Sequence, residues 1–277
     1  MRVRHYDIDD LGNRDPVAVE RFCALVRRTL IPYHRAVVRR LDHIPDGAAL
    51  YVANHNASIY TPDTYIFCVE AFGQRGMDAL PYGLMHEWLL DRPVINQILS
   101  PLGAVRASHA NADRILSRGQ KVLVYPGGDV EAMRSYRDRY RVNFDGRRGF
   151  VRLALKNRVP MVPVVTCGAH ASILILRTNG DLARKLGLDR RVRLKVLPLM
   201  LVVPWGLTVG PPMPFLPFPS QITTEVLEPV VPARTGPDAA ADEDYVASLA
   251  IEVEARMQAT MDRLAAERRG RGWLGRR

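Results

Sequence analysis

From residue 49 to about residue 200, short apolar runs alternate with stretches of helical spacing, and that rhythm narrows the possible folds more than any other feature of the chain. The runs are 49–53, 79–83, 102–106, 121–125 and 160–166, with a sixth candidate at 192–197, and helices fit 62–73, 91–100, 109–118 and 148–157 between them. A parallel strand pair needs a long crossover, and crossover helices bury both faces of the sheet. The expected fold class is therefore α/β, a single domain with a mostly parallel central sheet flanked by helices. Ligands of such sheets gather beyond the carboxyl ends of the strands. Attention falls on the residues just past the runs 49–53 and 121–125.

Composition narrows the partners. A chain of 277 residues can bury a full core. Its net charge is +10, and 35 of its 39 basic residues are arginine. Such a surface attracts polyanions, either nucleic acid or an anionic membrane. No recognised nucleic-acid motif accompanies the charge, so no nucleic-acid partner is expected. Cys23, Cys68 and Cys167 lie far apart among apolar residues, in no metal or redox spacing, and read as free thiols of a reducing compartment. The first ten residues place charges where a signal peptide needs an apolar stretch, so secretion is not expected.

Three regions emerge from this pattern: basic amphipathic helices over 1–44, an α/β core over 45–231, and a linker, amphipathic helix and basic tail over 232–277. Residues 16–31 read as a helix opened by Asp15 and Pro16, with Phe22, Leu25, Val26 and Leu30 on one face. After Pro32 a basic helix is expected to resume over 33–41. Pro160 and Pro163 make the run 159–164 an irregular strand or an edge, and Pro229 places a strand over 223–231 at an edge. Residues 196–218 carry no charge and are long enough to span a bilayer, yet six prolines and two glycines break any helix there. They read as a buried irregular segment or as an apolar lip entering one leaflet. Residues 232–242 read as a linker. A helix over 243–268 presents Val246, Leu249, Val253, Met257, Met261 and Leu264 as its apolar stripe. Beyond it Arg268, Arg269, Arg271, Arg276 and Arg277 flank Trp273 and Leu274, a composition suited to an anionic leaflet.

Chemistry concentrates at two strand ends. His55 comes after Asn54 at the close of the run 49–53, and histidine is the side chain best matched to a general base near neutral pH. Asp63 could orient it, although Thr61, Pro62 and Asp63 also form an ordinary helix start. Ser58 offers a rival serine nucleophile, against which stands the absence of any Gly-x-Ser-x-Gly elbow. Tyr125-Pro126-Gly127-Gly128 ends the second strand in a turn whose N–H groups could hold an oxyanion, or which could be a plain tight turn. Glu131 and Arg134 come next at helical spacing and could pair with each other. His86, His109 and His170 have no metal-ligand spacing and read as structural.

Taken in order, these blocks resemble the PlsC-like glycerolipid and lysophospholipid acyltransferases, closest to the branch of mono- and diacylglycerol acyltransferase-like proteins, over about residues 45–230. Asn54-His55 with Asp63 looks like the histidine–aspartate motif, Leu102-Gly103-Ala104-Val105 like the second block, and Val124-Tyr125-Pro126-Gly127-Gly128 with Glu131-Ala132 like the third. Arg148-Gly149-Phe150 looks like the lead-in to the fourth block and the segment 159–164 like that block itself. The resemblance implies an O-acyltransferase at the cytoplasmic face of a membrane, peripheral or monotopic. His55 is then the base that deprotonates a lipid hydroxyl, and Asp63 its partner. Asn54, Ser58, Tyr125, Gly127, Gly128, Glu131 and Arg134 become substrate-binding residues. Acyl-CoA or acyl carrier protein is the co-substrate, with no metal and no other cofactor. Seven residues separate His55 from Asp63 where the family usually has four, which fits the longer motif of the glyceride-like branch. Gly127 stands where a glutamate suited to a phosphorylated acceptor is usual, which favours a glycerolipid or other lipid alcohol without phosphate. A phosphate-bearing acceptor, as in 1-acylglycerol-phosphate acylation, is the alternative, and a non-catalytic lipid-binding protein on the same scaffold is a second.

Overall fold

The computed structural model describes residues 5–58, 60–185, 196–210, 212 and 214–270. Within them the chain runs through α1 (Pro16–Arg28), α2 (Leu30–His34), β1 (Val37–Arg39), β2 (Ala49–Ala53), α3 (Pro62–Arg75), β3 (Tyr82–Met85), α4 (Glu87–Leu90), α5 (Pro93–Leu99), β4 (Ala104–Arg106), α6 (His109–Leu116) and β5 (Lys121–Val124). It continues through α7 (Gly128–Ala132), α8 (Gly149–Asn157), β6 (Met161–Cys167), β7 (Leu174–Asn179), α9 (Gly180–Lys185), β8 (Leu197–Val202), β9 (Gly206–Val209), β10 (Thr223–Val226), α10 (Pro237–Ala241) and α11 (Glu243–Gly270).

Seven strands form the main sheet in the order β1-β10-β6-β2-β5-β3-β4. The five strands from β6 to β4 are mutually parallel, as the alternation requires, while β10 runs antiparallel to β6 and carries β1 beside it. β2 lies at the centre with all five residues buried. Helices α6, α8 and α11 cover one face and α1 and α3 the other, so neither face of β2 meets water. The six stripe residues of α11 are all buried against this core. Burial of such side chains contributes about 1.5–3 kcal/mol each.

Several expectations need correction. Residues 37–39 are a strand, not the continuation of a basic helix: Arg35 turns left-handed after α2, and β1 then pairs with β10. The segment before residue 45 is thus part of the main sheet. α1 buries Val19, Cys23 and Val26 and leaves Leu25 exposed, so its packed face is rotated from the expected one. Because β1 covers β10, the strand at 223–226 is not an edge. Nor is β6, which sits between β10 and β2 with Pro163 opposite Val52. Its missing N–H falls on the β10 side, between the ladder that ends at Val226 and the bridge from Met161 to Val230, where the partner strand carries one extra residue and the Leu227 N–H donates to the Pro163 carbonyl at 2.9 Å. Residues 237–241, expected as linker, form α10.

The uncharged segment holds the largest departure. Its first half forms β8 and β9, which join β7 in a separate antiparallel sheet of order β7-β8-β9. The sixth run expected at 192–197 and the basic tail beyond residue 270 lie mostly or wholly outside the described residues. Among the described residues no helix is long and apolar enough to cross a membrane.

Candidate active site

The chain leaves the sheet at the carboxyl end of β2, and polar side chains take over the ladder there. Asn54 Oδ1 accepts from the Thr166 N–H at 2.8 Å and its Nδ2 donates to the Thr166 carbonyl at 3.1 Å. The amide therefore substitutes for one more rung between β2 and β6. Asn54, expected to bind substrate, extends the ladder instead: it is 1% exposed and both ends of its amide are used.

The next four residues are clasped from outside. The His55 N–H donates to Glu131 Oε2 at 2.8 Å, the Ala57 N–H to His170 Nδ1 at 3.2 Å, and the Ser58 N–H to the Ala132 carbonyl at 3.0 Å. Arg134 closes the clasp. Its Nη1 donates to the carbonyls of His55 (2.6 Å) and Glu131 (2.7 Å), its Nη2 to Asn56 Oδ1 (2.7 Å) and the Arg139 carbonyl (3.1 Å), and its Nε to the Asp138 carbonyl (3.1 Å). A guanidinium has five donors, and all five are occupied by protein. Arg134 has no donor for a substrate phosphate. Glu131 is equally committed, with Oε1 accepting from the Asn143 N–H at 3.1 Å. The two residues expected to bind substrate hold the His55 loop in place, and the side chains do not simply pair with each other. His170 belongs to the same clasp. Its Nε2 donates to the Arg134 carbonyl at 2.8 Å while Nδ1 accepts from Ala57, which fixes the neutral tautomer, and burial holds its pKa well below the usual histidine value.

Held this way, the imidazole of His55 lies at the strand end, half-buried, with its ring 4.6 Å from that of Tyr125 and tilted 36° to it. Tyr125 is anchored in turn by its hydroxyl on Thr64 Oγ1. His55 Nδ1 is sealed and meets no partner among the described residues, whereas Nε2 is not sealed. Burial first, and then the charge of Arg134, lowers the His55 pKa to about 4. The ring is neutral at pH 7, as a base must be before it takes a proton.

Asp63 does not bond to His55. Its Oδ2 accepts from Asn56 Nδ2 at 2.8 Å, and Asn56 thereby links the carboxylate to Arg134. Asp63 Oδ1 is buried without a hydrogen-bond partner among the described residues, and Ser58 Oγ is in the same state. Burial pushes the Asp63 carboxyl up to about 6, against the Asn56 amide and the N–H groups at the start of α3. Three buried polar atoms without partners thus sit within residues 55–63. Natural proteins leave few such atoms, and those they leave call for a reason. The backbone between them is strained as well, with Ala57 and Ser58 at φ 55° and Thr61 at φ 37°.

The turn after β5 is packed by its own chain. A Cβ on Gly127 would lie 2.3 Å from Glu131 Oε2 and 2.5 Å from the Asn143 carbonyl oxygen. Gly128 has φ +53° and donates its N–H to the Tyr125 carbonyl at 3.1 Å. Gly127 is a glycine so that Glu131 can fold back to His55, and the turn is the tight one of the plainer reading. Sequence reasoning passed over Asn56 and gave His170 no place at the site. The signal for Asn56 was visible, since it is a third amide-or-imidazole side chain in a row at the end of a wholly apolar strand.

A mostly parallel sheet with a histidine at the carboxyl end of its central strand, and a second strand-end turn beside it, defines a PlsC-type acyltransferase fold. The crystal structure of the 1-acyl-sn-glycerophosphate acyltransferase PlsC from Thermotoga maritima matches with a TM-score of 0.52 at 18% identity, over 89% of this chain and 79% of that one. The diacylglycerol acyltransferase family profile matches residues 87–248, and the chain belongs to that family. An uncharacterised protein of Mycobacterium tuberculosis is 30% identical over 270 residues, covering 95% of this chain and 71% of the other. The mouse protein named DGAT1/2-independent enzyme synthesizing storage lipids is 28% identical over 134 residues, 48% of this chain and 39% of that protein. The chain is therefore a glycerolipid-type acyltransferase, with an acyl donor and a lipid acceptor as its substrates.

Proposed function

We propose that this protein transfers a fatty acyl group from a thioester, acyl-CoA or acyl carrier protein, to the hydroxyl of a glycerolipid or other lipid alcohol at a membrane surface, with His55 as general base. The observation that carries the reading is the neutral His55 ring, fixed through its main chain by Glu131 and Arg134 and half-buried at the strand end. His55 Nε2 takes the hydroxyl proton as the oxygen bonds to the thioester carbonyl carbon. The C–S bond breaks as the tetrahedral intermediate collapses, and the leaving sulfur takes the proton back. Ester and thiol are the products, and the histidine returns to its neutral form. Catalytic hydrogen bonds often tighten only in the substrate complex. In this reading Asp63 Oδ1 and His55 Nδ1, both without partners, meet there and raise the basicity of Nε2. Ser58 Oγ faces the substrate oxygens. No metal or resident cofactor takes part.

The occupied guanidinium of Arg134 supports an acceptor without phosphate, because this buried arginine offers it no donor. The test incubates labelled acyl-CoA with mono- and diacylglycerol, a long-chain alcohol and 1-acylglycerol phosphate. Ester formation with release of CoA is expected on the uncharged acceptors. Equal yields from wild type and His55→Ala would defeat the assignment of the base. Lipid binding without CoA release would favour a non-catalytic lipid-binding protein.

A further inference from the structure

The topology brackets the candidate base with two exposed apolar elements. His55 lies just past β2, and the strand order β6-β2-β5-β3 places β6 on one side of it and β3 beyond β5 on the other. These four strands are parallel, so the segments leaving their carboxyl ends all start from one rim of the sheet. Beyond β6 comes the second sheet. Beyond β3 come α4 and α5.

The second sheet buries one apolar face and exposes apolar residues of β8 and β9 on the other. One face buries Ile175, Met200 and Val202 against Ala57 and Tyr60, in the loop after His55. The alternate residues point outward. Register sets Leu201 opposite Leu207, and Leu199 opposite Val209. Leu207 is 62% and Val209 64% exposed, and Leu201, Val203 and Trp205 are exposed beside them. Trp205 donates its indole N–H to the Pro214 carbonyl at 2.6 Å, so the ring carries no unpaired donor into an apolar phase. On the other side of His55, Trp88 is 51%, Val94 69% and Ile98 50% exposed. Cations stand at both elements: the Arg92 guanidinium lies 4.4 Å from the Trp88 ring centroid, and Arg177 is exposed on β7 opposite Leu199. The acidic neighbours Glu87 and Asp91 are engaged by Arg106 and His5.

We infer that the carboxyl rim of the main sheet is a two-point docking surface for an anionic lipid bilayer, held by the outer face of β7-β8-β9 on one side of His55 and by Trp88, Val94 and Ile98 on the other. An exposed apolar sheet face combined with amphipathic tryptophan and flanking arginine fits the headgroup–acyl boundary. Depth is limited by β9, an edge strand whose outer N–H and C=O groups would be unpaired in hydrocarbon, so the sheet lies face-on at interfacial depth. A second copy of the chain seated across both elements would close off the base. A bilayer seated there supplies the acceptor. The inference rests on the lipid-acceptor reading above and names the surface through which that lipid arrives.

The test uses the full chain and vesicles of phosphatidylcholine with phosphatidylglycerol carrying brominated acyl chains. Two single-tryptophan proteins are made by Trp→Phe changes at the other two positions among Trp88, Trp205 and Trp273. Both Trp88 and Trp205 are expected to be quenched on vesicle addition. The double variant Leu201→Glu with Leu207→Glu, and separately Val94→Glu with Ile98→Glu, should each lower vesicle partitioning at least about tenfold with unchanged circular dichroism. Ile251→Glu on α11 should not change it. Quenching of only one tryptophan, or of neither, overturns the two-point surface. So does a stable dimer in sedimentation that the glutamate variants dissolve. Turnover of a water-dispersed short-chain acceptor, measured in parallel, reports on the chemistry alone. Loss of that turnover with intact vesicle binding would defeat the acyltransfer reading and leave the surface standing.

Discussion

Arg134 Nη1 donates to the carbonyl oxygen of His55 at 2.6 Å across 79 positions of sequence, and the remaining four N–H groups of the same guanidinium are taken by Glu131, Asn56, Asp138 and Arg139. A charged group 7% exposed is kept by complete hydrogen bonding, and removing it takes a donor from each of five acceptors. Arg134→Met is expected to lower unfolding free energy by about 3–5 kcal/mol. Arg134→Lys keeps the charge with three donors and should lose roughly half as much. Urea midpoints measured by circular dichroism check both. A methionine variant as stable as wild type would mean the clasp contributes nothing.

The pH dependence of turnover separates His55 from Asp63. Burial raises the carboxyl to about 6 and lowers the imidazole to about 4. If the ionised carboxylate orients the ring in the substrate complex, kcat/KM is full above about pH 6 and falls as Asp63 gains its proton. The free imidazole is neutral through that range and contributes no limb until about pH 4. In Asp63→Asn the limb near 6 should vanish, the profile should extend down toward 4, and the plateau should drop by about 100-fold or more. An unchanged limb in that variant would assign it to another group, and Glu131, whose carboxyl is also raised by burial, is the first to test.

How far the sequence could be read depended on the range of the interactions. β2, β5, α3 and α8 were legible because local spacing and composition agree with their final environment, and so was His55 at a strand end. β1 was not. Arginines at 35, 39 and 40 fit a helix surface as well as a strand, and only the distant partner β10 decides between them. The β8–β9 hairpin was hidden by Pro198 and Pro204, which argue against strands locally; Pro198 sits opposite Thr178 and Pro204 in the turn. Glu131 and Arg134 were found as residues but misread in role. Their helical spacing suggests a surface pair, while their side chains bond main-chain groups at 55, 131, 138, 139 and 143 and the amide of Asn56.

Ser58 should show stability and function pulling in opposite directions. Its backbone is left-handed at φ 55° and its buried hydroxyl has no partner among the described residues. Glycine removes both penalties, so Ser58→Gly is expected to raise stability by about 1 kcal/mol. If the hydroxyl meets substrate oxygens, the same change lowers kcat/KM by about tenfold or more. Ala57→Gly shares the backbone relief at φ 55° but gives up a buried methyl packed on the second sheet, so its stability should change little, and with no hydroxyl to lose it should keep its activity. Equal activity in the two variants would remove Ser58 from the site.

The adjacent glycines of the β5 turn give the sharpest test of what that turn is for. A Cβ at Gly127 would meet Glu131 Oε2 at 2.3 Å, Glu131 Cβ at 2.4 Å and the Asn143 carbonyl oxygen at 2.5 Å, and two of those atoms are a carbonyl and a side-chain root that cannot step aside. Gly127→Ala must push the Glu131 carboxylate off the His55 N–H, so it is expected to cost about 3 kcal/mol or more and to abolish turnover even where the protein still folds. At Gly128 the nearest atom is Arg147 Nη1 at 2.2 Å, the far end of a flexible side chain, and the main penalty is the left-handed backbone at φ +53°. Gly128→Ala should therefore cost only about 1–2 kcal/mol and keep most of its activity. Were the turn instead a cradle for the acyl donor, both alanines would raise KM for the thioester together while leaving the urea midpoint near that of wild type. Internal packing predicts the unequal pair, with the damage at Gly127 read first in stability, because what that glycine makes room for is the side chain that holds His55.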